Sequence, residues 1–201
     1  SDARTAQAIA QLDLPEMAAE TLISHDTHVS LHLEGDTAFG VFVDWRHQRG
    51  IDPSKHSFAR SEKEVGWLHF VLGEGLLVST RRQALRSVEQ VRQHLNAGVR
   101  LDSASELLEA IVEQFAASVA HATDELGREL DQIEDRVLTD HIGEERRDLA
   151  VLRRQGVHMH RPVTALRRVL KQFEQRHSVN SEHDLVPATS RLSQRFDELD
   201  S

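Results

Sequence analysis

The 201-residue chain contains no cysteine. That absence excludes a disulfide scaffold, a thiolate zinc site and a cysteine nucleophile. Basic residues are in deficit: 24 Lys and Arg stand against 33 Asp and Glu, a formal net charge of −9 with the 13 histidines neutral. Nucleic-acid binders draw much of their affinity from Lys and Arg neutralising phosphates, so the balance argues against one, and against a uniformly basic membrane-surface protein. No apolar run approaches the ~18 residues that a membrane span needs. The longest, at 39–43 and 68–78, are short and broken by glycine or polar residues. There is no signal-peptide pattern. Neither Gly-x-Ser-x-Gly nor His-Glu-x-x-His occurs, and Gly73-Glu74-Gly75 is too short and lies between strands, so it does not read as a phosphate loop. The expectation is a protein that is not an enzyme.

What is present reads as a folded chain with enough length for a real core, as one domain or one domain plus an extension. The apolar fraction of 39% beside 28% charged residues is too apolar for disorder. Residues 3–12 are alanine-rich and helix-prone, Pro15 stops them, and 16–22 make a second short helix. From His28 the period changes to two. Val29, Leu31 and Leu33 alternate with polar residues, Gly35-Asp36 supplies a turn, and Phe39, Val41 and Val43 form one face of a second strand ending near Trp45. Residues 46–64 read as a polar loop. Residues 67–72 and 76–79 read as a hairpin about Gly73-Glu74-Gly75. Ser79 or Thr80 is placed to cap a helix running to Asn96, with Leu85, Val88, Val91 and Leu95 on one face and Gly98 past its end.

The second half carries long helical periodicity. Ser103 and Glu106 form a capping box. Leu108, Ile111, Phe115, Val119, Ala122, Leu126, Leu130, Ile133 and Val137 then recur at spacings of three and four. At ~1.5 Å per residue a helix over 103–138 is roughly 50 Å long. After a break at 139–143, a second stripe runs through Leu149, Leu152, Gly156, Met159, Val163, Leu166, Leu170 and Phe173, with Pro162 inside the helix, where it removes a backbone bond. Residues 102–140 hold 11 acids and two arginines, net −9; residues 144–176 hold four acids and nine basic residues, net +5. Helices of opposite sign on a short link predict an antiparallel hairpin. A polar linker at 178–184 leads to Leu185, Leu192, Phe196 and Leu199 at helical spacing, with no closing signal. The fold class is therefore α+β. A small α/β sheet subdomain occupies 1–100, a long antiparallel helical hairpin 101–178, and the start of a third helix 184–201. The chain begins without methionine and ends inside a helix, as expected of a fragment of a longer protein.

Two groups of side chains are candidate metal ligands. Asp124, Glu125, Asp131, Glu134 and Asp135 line the acidic helix at mixed spacings of three and four, an oxygen-rich pattern suited to magnesium. The alternative is a solvated face complementary to the basic helix. The histidines are scattered. His158 and His160, two apart on a helix, cannot share one tetrahedral ion from that helix alone. His141, His177 and His183 fall near helix ends or linkers, where an intersubunit site could form. The metal candidates are Asp124, Asp131, Glu134, Asp135 and His141, for zinc or magnesium. No covalent cofactor is expected.

Four segments in order, Leu76-Leu77-Val78-Ser79-Thr80-Arg81, Ile133-Glu134-Asp135, Leu152-Arg153-Arg154-Gln155 and Met159-His160-Arg161-Pro162, resemble the cytoplasmic region of the CorA family of divalent metal ion transporters. The zinc-transporting ZntB branch looks most similar. The resemblance covers 66–201, more weakly before that. It implies a homopentameric transporter of the bacterial inner membrane, with this portion on the cytoplasmic side forming a funnel. Residues 184–201 would begin the stalk helix leading to two membrane spans. The spans and the Gly-Met-Asn motif of the pore entrance are not in this sequence, so it contains no permeation residues to name. In CorA-type members, ions held by carboxylates between neighbouring cytoplasmic domains help close the pore; zinc-type members suggest a proton-coupled route, to which histidines would respond. The rival expectation is a soluble helical-hairpin scaffold or adaptor without a transport role.

Overall fold

The computed structural model describes residues 3–47, 65–138, 145–177 and 185–199. Most of the loop expected at 46–64, the break at 139–143 and the linker at 178–184 lie outside the described residues. Two short helices, α1 (Ala3–Ala10) and α2 (Glu16–Ile23), precede strands β1 (Ser30–Glu34), β2 (Thr37–Trp45), β3 (Val65–Gly73) and β4 (Leu76–Thr80). Helix α3 (Arg86–Asn96) then leads to α4 (Ala104–Leu138), α5 (Glu145–His177) and α6 (Leu185–Leu199). The expected α+β architecture is the observed one.

The strands form an antiparallel sheet in the order β1-β2-β3-β4. Its tight turns use Gly35 at φ 57° and Gly75 at φ 66°, a left-handed conformation that costs glycine little. Alternation in β2 suggested one apolar face. The structure buries every residue from Ala38 to Trp45. Ile9, Ala18 and Leu22 of the short helices cover Phe39 and Val71, while Phe42, Phe70 and Leu72 enter a larger core with Leu108, Phe115, Leu166, Leu170 and Phe196. A central strand covered on both sides has no solvent face to alternate with.

The expected cap of α3 is corrected. Ser79 and Thr80 both stay in the sheet, opposite Phe70 and His69, and the Thr80 hydroxyl donates to the Leu22 carbonyl at the end of α2. The helix starts six residues later, after Leu85, where Asp44 of β2 acts as its cap. One carboxylate oxygen of Asp44 accepts the Ser87 N–H at 2.9 Å and the other accepts the Ser87 hydroxyl at 2.7 Å. Burial pushes the Asp44 carboxyl up from 3.8 to about 6, against the opposing hydrogen bonds from Ser87 and the Trp45 N–H.

The capping box forms as read, with a small shift. The Glu106 N–H donates to Ser103 Oγ at 3.1 Å, while the Glu106 carboxylate accepts the N–H of Asp102 at 2.8 Å. Helix α4 then runs 35 residues, about 50 Å at helical rise. Arg136 near its end meets Asp148 near the start of α5 at 2.7 Å, and Phe115 early in α4 shares a lining with Leu166 late in α5. The two helices therefore run antiparallel. Helix α5 stays continuous through Pro162. Burial is uneven along the hairpin. Leu108, Phe115, Val119 and Ala122 are buried, as are Met159, Val163, Leu166, Leu170 and Phe173, whereas Leu130, Val137 and Leu149 toward the tip are exposed.

Two tests follow from this packing. A Cβ added at Gly40 would lie 2.1 Å from the Ser30 carbonyl oxygen of the paired strand, a backbone atom that cannot step aside. Gly40→Ala should cost about 1–3 kcal/mol in urea unfolding, and an unchanged midpoint would contradict the β1–β2 approach. The raised Asp44 pKa means that the folded state holds this proton more tightly than the unfolded chain. Its contribution to stability is complete below pH 3.8 and is lost as pH rises through about 6. A displacement of that size corresponds to about 3 kcal/mol. Asp44→Asn should remove this fall from the stability–pH curve, whereas parallel curves for the two proteins would refute the assignment.

Candidate functional site

Opposite charge on α4 and α5 predicted direct pairing of the two helices. In the structure much of that complementarity runs through α6. Leu185, Ala188, Leu192 and Phe196 bury one stripe of α6 in the core shared with α4 and α5. Flanking this stripe, Arg191 makes a two-pronged contact with Glu109 of α4, Nε and Nη2 each 2.6 Å from a carboxylate oxygen. One turn on, Arg195 Nε lies 3.8 Å from Glu113. On the other flank Asp197 accepts from Arg167 at 2.6 Å and from Lys171 at 2.8 Å, both on α5, and Ser190 donates to Glu174 at 2.7 Å. The acidic helix thus offers carboxylates to the arginines of α6, and the basic helix offers cations to its aspartate.

The electrostatics follow from these contacts. Hydrogen bonding to Lys171, with Arg167 beside it, holds the Asp197 carboxyl below its ordinary range. Burial raises that of Glu113, reinforced by Glu109 and Glu198 and opposed by Arg195. Exposed pairs are each worth ~0–1 kcal/mol, so they choose register and orientation while the apolar stripe supplies the bulk of the binding.

The candidate metal ligands lie elsewhere. Asp124, Asp131, Glu134 and Asp135 are exposed on the outer half of α4. Asp131, Glu134 and Asp135 fall within about one helical turn, and Asp124 lies two turns earlier. Glu125 is half-buried with His121 Nε2 at 3.4 Å. His141 and His183 lie outside the described residues. The His177 ring sits 4.6 Å from Phe173, and His160 lies 3.4 Å from the Thr164 hydroxyl. Among the described residues no three His, Asp or Glu side chains gather where they could hold a metal ion.

Two other features come to light only in the folded chain. One is Asp44, whose signal was a lone carboxylate in the apolar run 38–45. The other is the arginine pair Arg81-Arg82, whose first member closes the family-like segment Leu76–Arg81, and which lines a hollow beside His69.

A family model described as CorA-like Mg2+ transporter protein matches residues 1–201. The chain belongs to this family. Its fold is similar to that of the full-length CmaX protein, with TM-score 0.75 and 20% identity over 98% of this chain and 59% of that one. It is similar to the ZntB cytoplasmic domain from Vibrio parahaemolyticus, with TM-score 0.59 and 16% identity over 95% of this chain and 75% of that one. The soluble domain of CorA from Methanocaldococcus jannaschii gives TM-score 0.72 and 13% identity over 99% of this chain and 76% of that one. At these identities the likeness is one of fold. The chain thus spans about six-tenths of full-length CmaX, 59%. No curated protein matches. Among the described residues no helix is long and apolar enough to cross a membrane.

The clasp on α6 is open to a double-mutant cycle. Glu109→Ala and Arg191→Ala, alone and together, should give a coupling of about 1 kcal/mol at low salt that shrinks in high salt. Amide exchange in α6 should quicken in each single variant. Additive effects with unaltered exchange would show the pair to be idle.

Proposed function

We propose that this chain is the cytoplasmic portion of a CorA-like divalent-cation transporter, acting as its funnel and regulatory domain. The observation that carries the reading is the family match along all 201 residues, supported by a fold shared with the soluble and cytoplasmic domains of CorA and ZntB. On this reading α6 begins the stalk that continues to the membrane helices, the full protein is a homopentamer in a bacterial inner membrane, and its cargo is zinc or magnesium. The domain itself catalyses no reaction. The division at 1–100, 101–178 and 184–201 then separates a sheet subdomain, a lever-like hairpin and a drive helix.

The physical logic lies in how α6 is held. Its apolar stripe and flanking ion pairs fix it to both α4 and α5, so a shift of the hairpin carries α6 with it. Cations bound preferentially in one arrangement would bias the population toward that arrangement. The exposed carboxylates Asp124, Asp131, Glu134 and Asp135, with His141, are the proposed cation-attracting groups. Gathered from several copies they supply the oxygen ligands that one copy does not assemble, and the net charge of −9 concentrates cations near them. A scaffold or adaptor role is the second reading. Val137, Leu149, Val151 and Val157, exposed along the hairpin, are what favour it.

The deciding experiment is uptake by the intact gene product reconstituted in vesicles, with magnesium and zinc as separate cargoes. Uptake of either ion is the expected result, with Asp131→Asn/Glu134→Gln/Asp135→Asn altering how uptake responds to internal cation. No flux of either ion, from a product that binds another protein through the hairpin tip, would favour the scaffold.

A further inference from the structure

Where the end of α2 meets β3 and β4, the surface carries a hollow with unusual charge for so acidic a chain. Helix α2 ends against β3 and β4, and its last carbonyls are claimed by the sheet: His69 Nδ1 donates to the Thr21 carbonyl at 2.9 Å, and the Thr80 hydroxyl donates to that of Leu22. Beyond this junction the chain turns out of β4 through Arg81 and Arg82 toward α3. Two adjoining hollows result, of about 350 and 490 Å³, sharing Thr5, Thr80, Arg81 and Arg82 in their linings. Both are open to solvent, so a ligand there would be held by charge and hydrogen bonds and not by enclosure.

The lining is selective in its chemistry. Among the described residues it contains two arginines, His25 and His69, and the hydroxyls of Thr5, Ser24, Ser79 and Thr80, and no carboxylate, in a chain with 33 acidic residues. Among the described residues neither the Arg81 nor the Arg82 side chain has a hydrogen-bond or ion-pair partner. Other arginines of the chain do: Arg92, Arg167, Arg191 and Arg195 all engage carboxylates. The negative end of α2, which would repel an anion, is covered by the donors on Thr21 and Leu22. His69 is nearly buried, at 7% exposure, and its Nδ1 is committed to Thr21, so it serves as a wall of the hollow.

From this convergence we infer that the hollow beside Arg81 and Arg82 binds a small phosphate-bearing anion. Two guanidinium forks match phosphate oxygens in pairs, and the surrounding hydroxyls supply further donors. A free inorganic phosphate, a pyrophosphate group or a nucleotide would present the same oxygens. The site lies apart from the carboxylates of α4 and does not depend on the transport reading.

The test is calorimetric titration of the chain with phosphate, pyrophosphate and ADP at matched ionic strength, without divalent cations. Binding of pyrophosphate or ADP is expected, weakened about tenfold or more in Arg81→Gln/Arg82→Gln. Both residues are exposed, so the variant should melt at the wild-type temperature in ligand-free buffer. Arg153→Gln/Arg154→Gln removes an equally exposed pair on α5 and should leave binding unchanged. Equal affinity for pyrophosphate and ADP would make the phosphates the recognised group, and tighter ADP would add the base to it. Absence of binding, or equal loss in both double variants, overturns the inference.

Discussion

Phe115 is the point on which the architecture turns. Its ring is 5.6 Å from that of Trp45 at the end of β2 and 6.3 Å from that of Phe196 on α6, and only 1% of the residue is exposed. Aromatic residues are only 4% of the chain, so this column concentrates much of what is available. Burying each such side chain is worth ~1.5–3 kcal/mol, more than any surface ion pair in the molecule. The consequence is mechanical. Sheet, hairpin and α6 share one core and are not beads on a string, so the position of α6 is tied to that of β2.

That coupling fades along the hairpin. As far as Ala122 on α4, and from Met159 onward on α5, the helices lie against the sheet and α6. Beyond those residues they have mainly each other, with Ile133 buried but Leu130 and Val137 partly in water. Local stability follows the density of buried apolar contacts. A firmly packed base and a more weakly held arm are thus written into where the apolar stripe is covered. The acidic face of α4 falls on the arm, while the ion-pair clasp on α6 falls on the base. Ligands acting on the arm therefore meet the part of the molecule that yields most readily.

Features fixed by local spacing were legible in the sequence. The α4 stripe placed a helix over 103–138, and the structure has it over Ala104–Leu138. The Gly35 and Gly75 turns and the Ser103–Glu106 capping pair were equally readable, because their partners lie within a few residues. Illegible features depend on distant segments. The start of α3 is set by Asp44, 43 positions before Ser87, whereas the local candidates Ser79 and Thr80 both remain in β4, and the Thr80 hydroxyl is already engaged by α2. Burial of β2 on both faces required knowing that α1 and α2 fold back over it. The Arg81–Arg82 hollow is assembled from residues near positions 5, 25, 69 and 81, and no spacing rule joins them. The family-like order of segments conveyed the architecture as a whole but could not say which charge meets which.

The charge pattern itself illustrates that limit. Net charges of −9 and +5 on successive helices led to an expectation of a direct zipper. One direct pair, Arg136–Asp148, has the reverse polarity, with its cation on the acidic helix. The general attraction is real but has no address, since screened charges act over ~8–10 Å and many registers satisfy it. Addresses come from geometry: a two-pronged arginine on Glu109, and an aspartate bracketed by Arg167 and Lys171. Because these partners lie on α6, the helix that the linker delivers last along the chain completes the electrostatics of the two before it. The opposite charges of α4 and α5 thus also prepare a seat between acid and base that a third helix, carrying both signs, can occupy in one orientation.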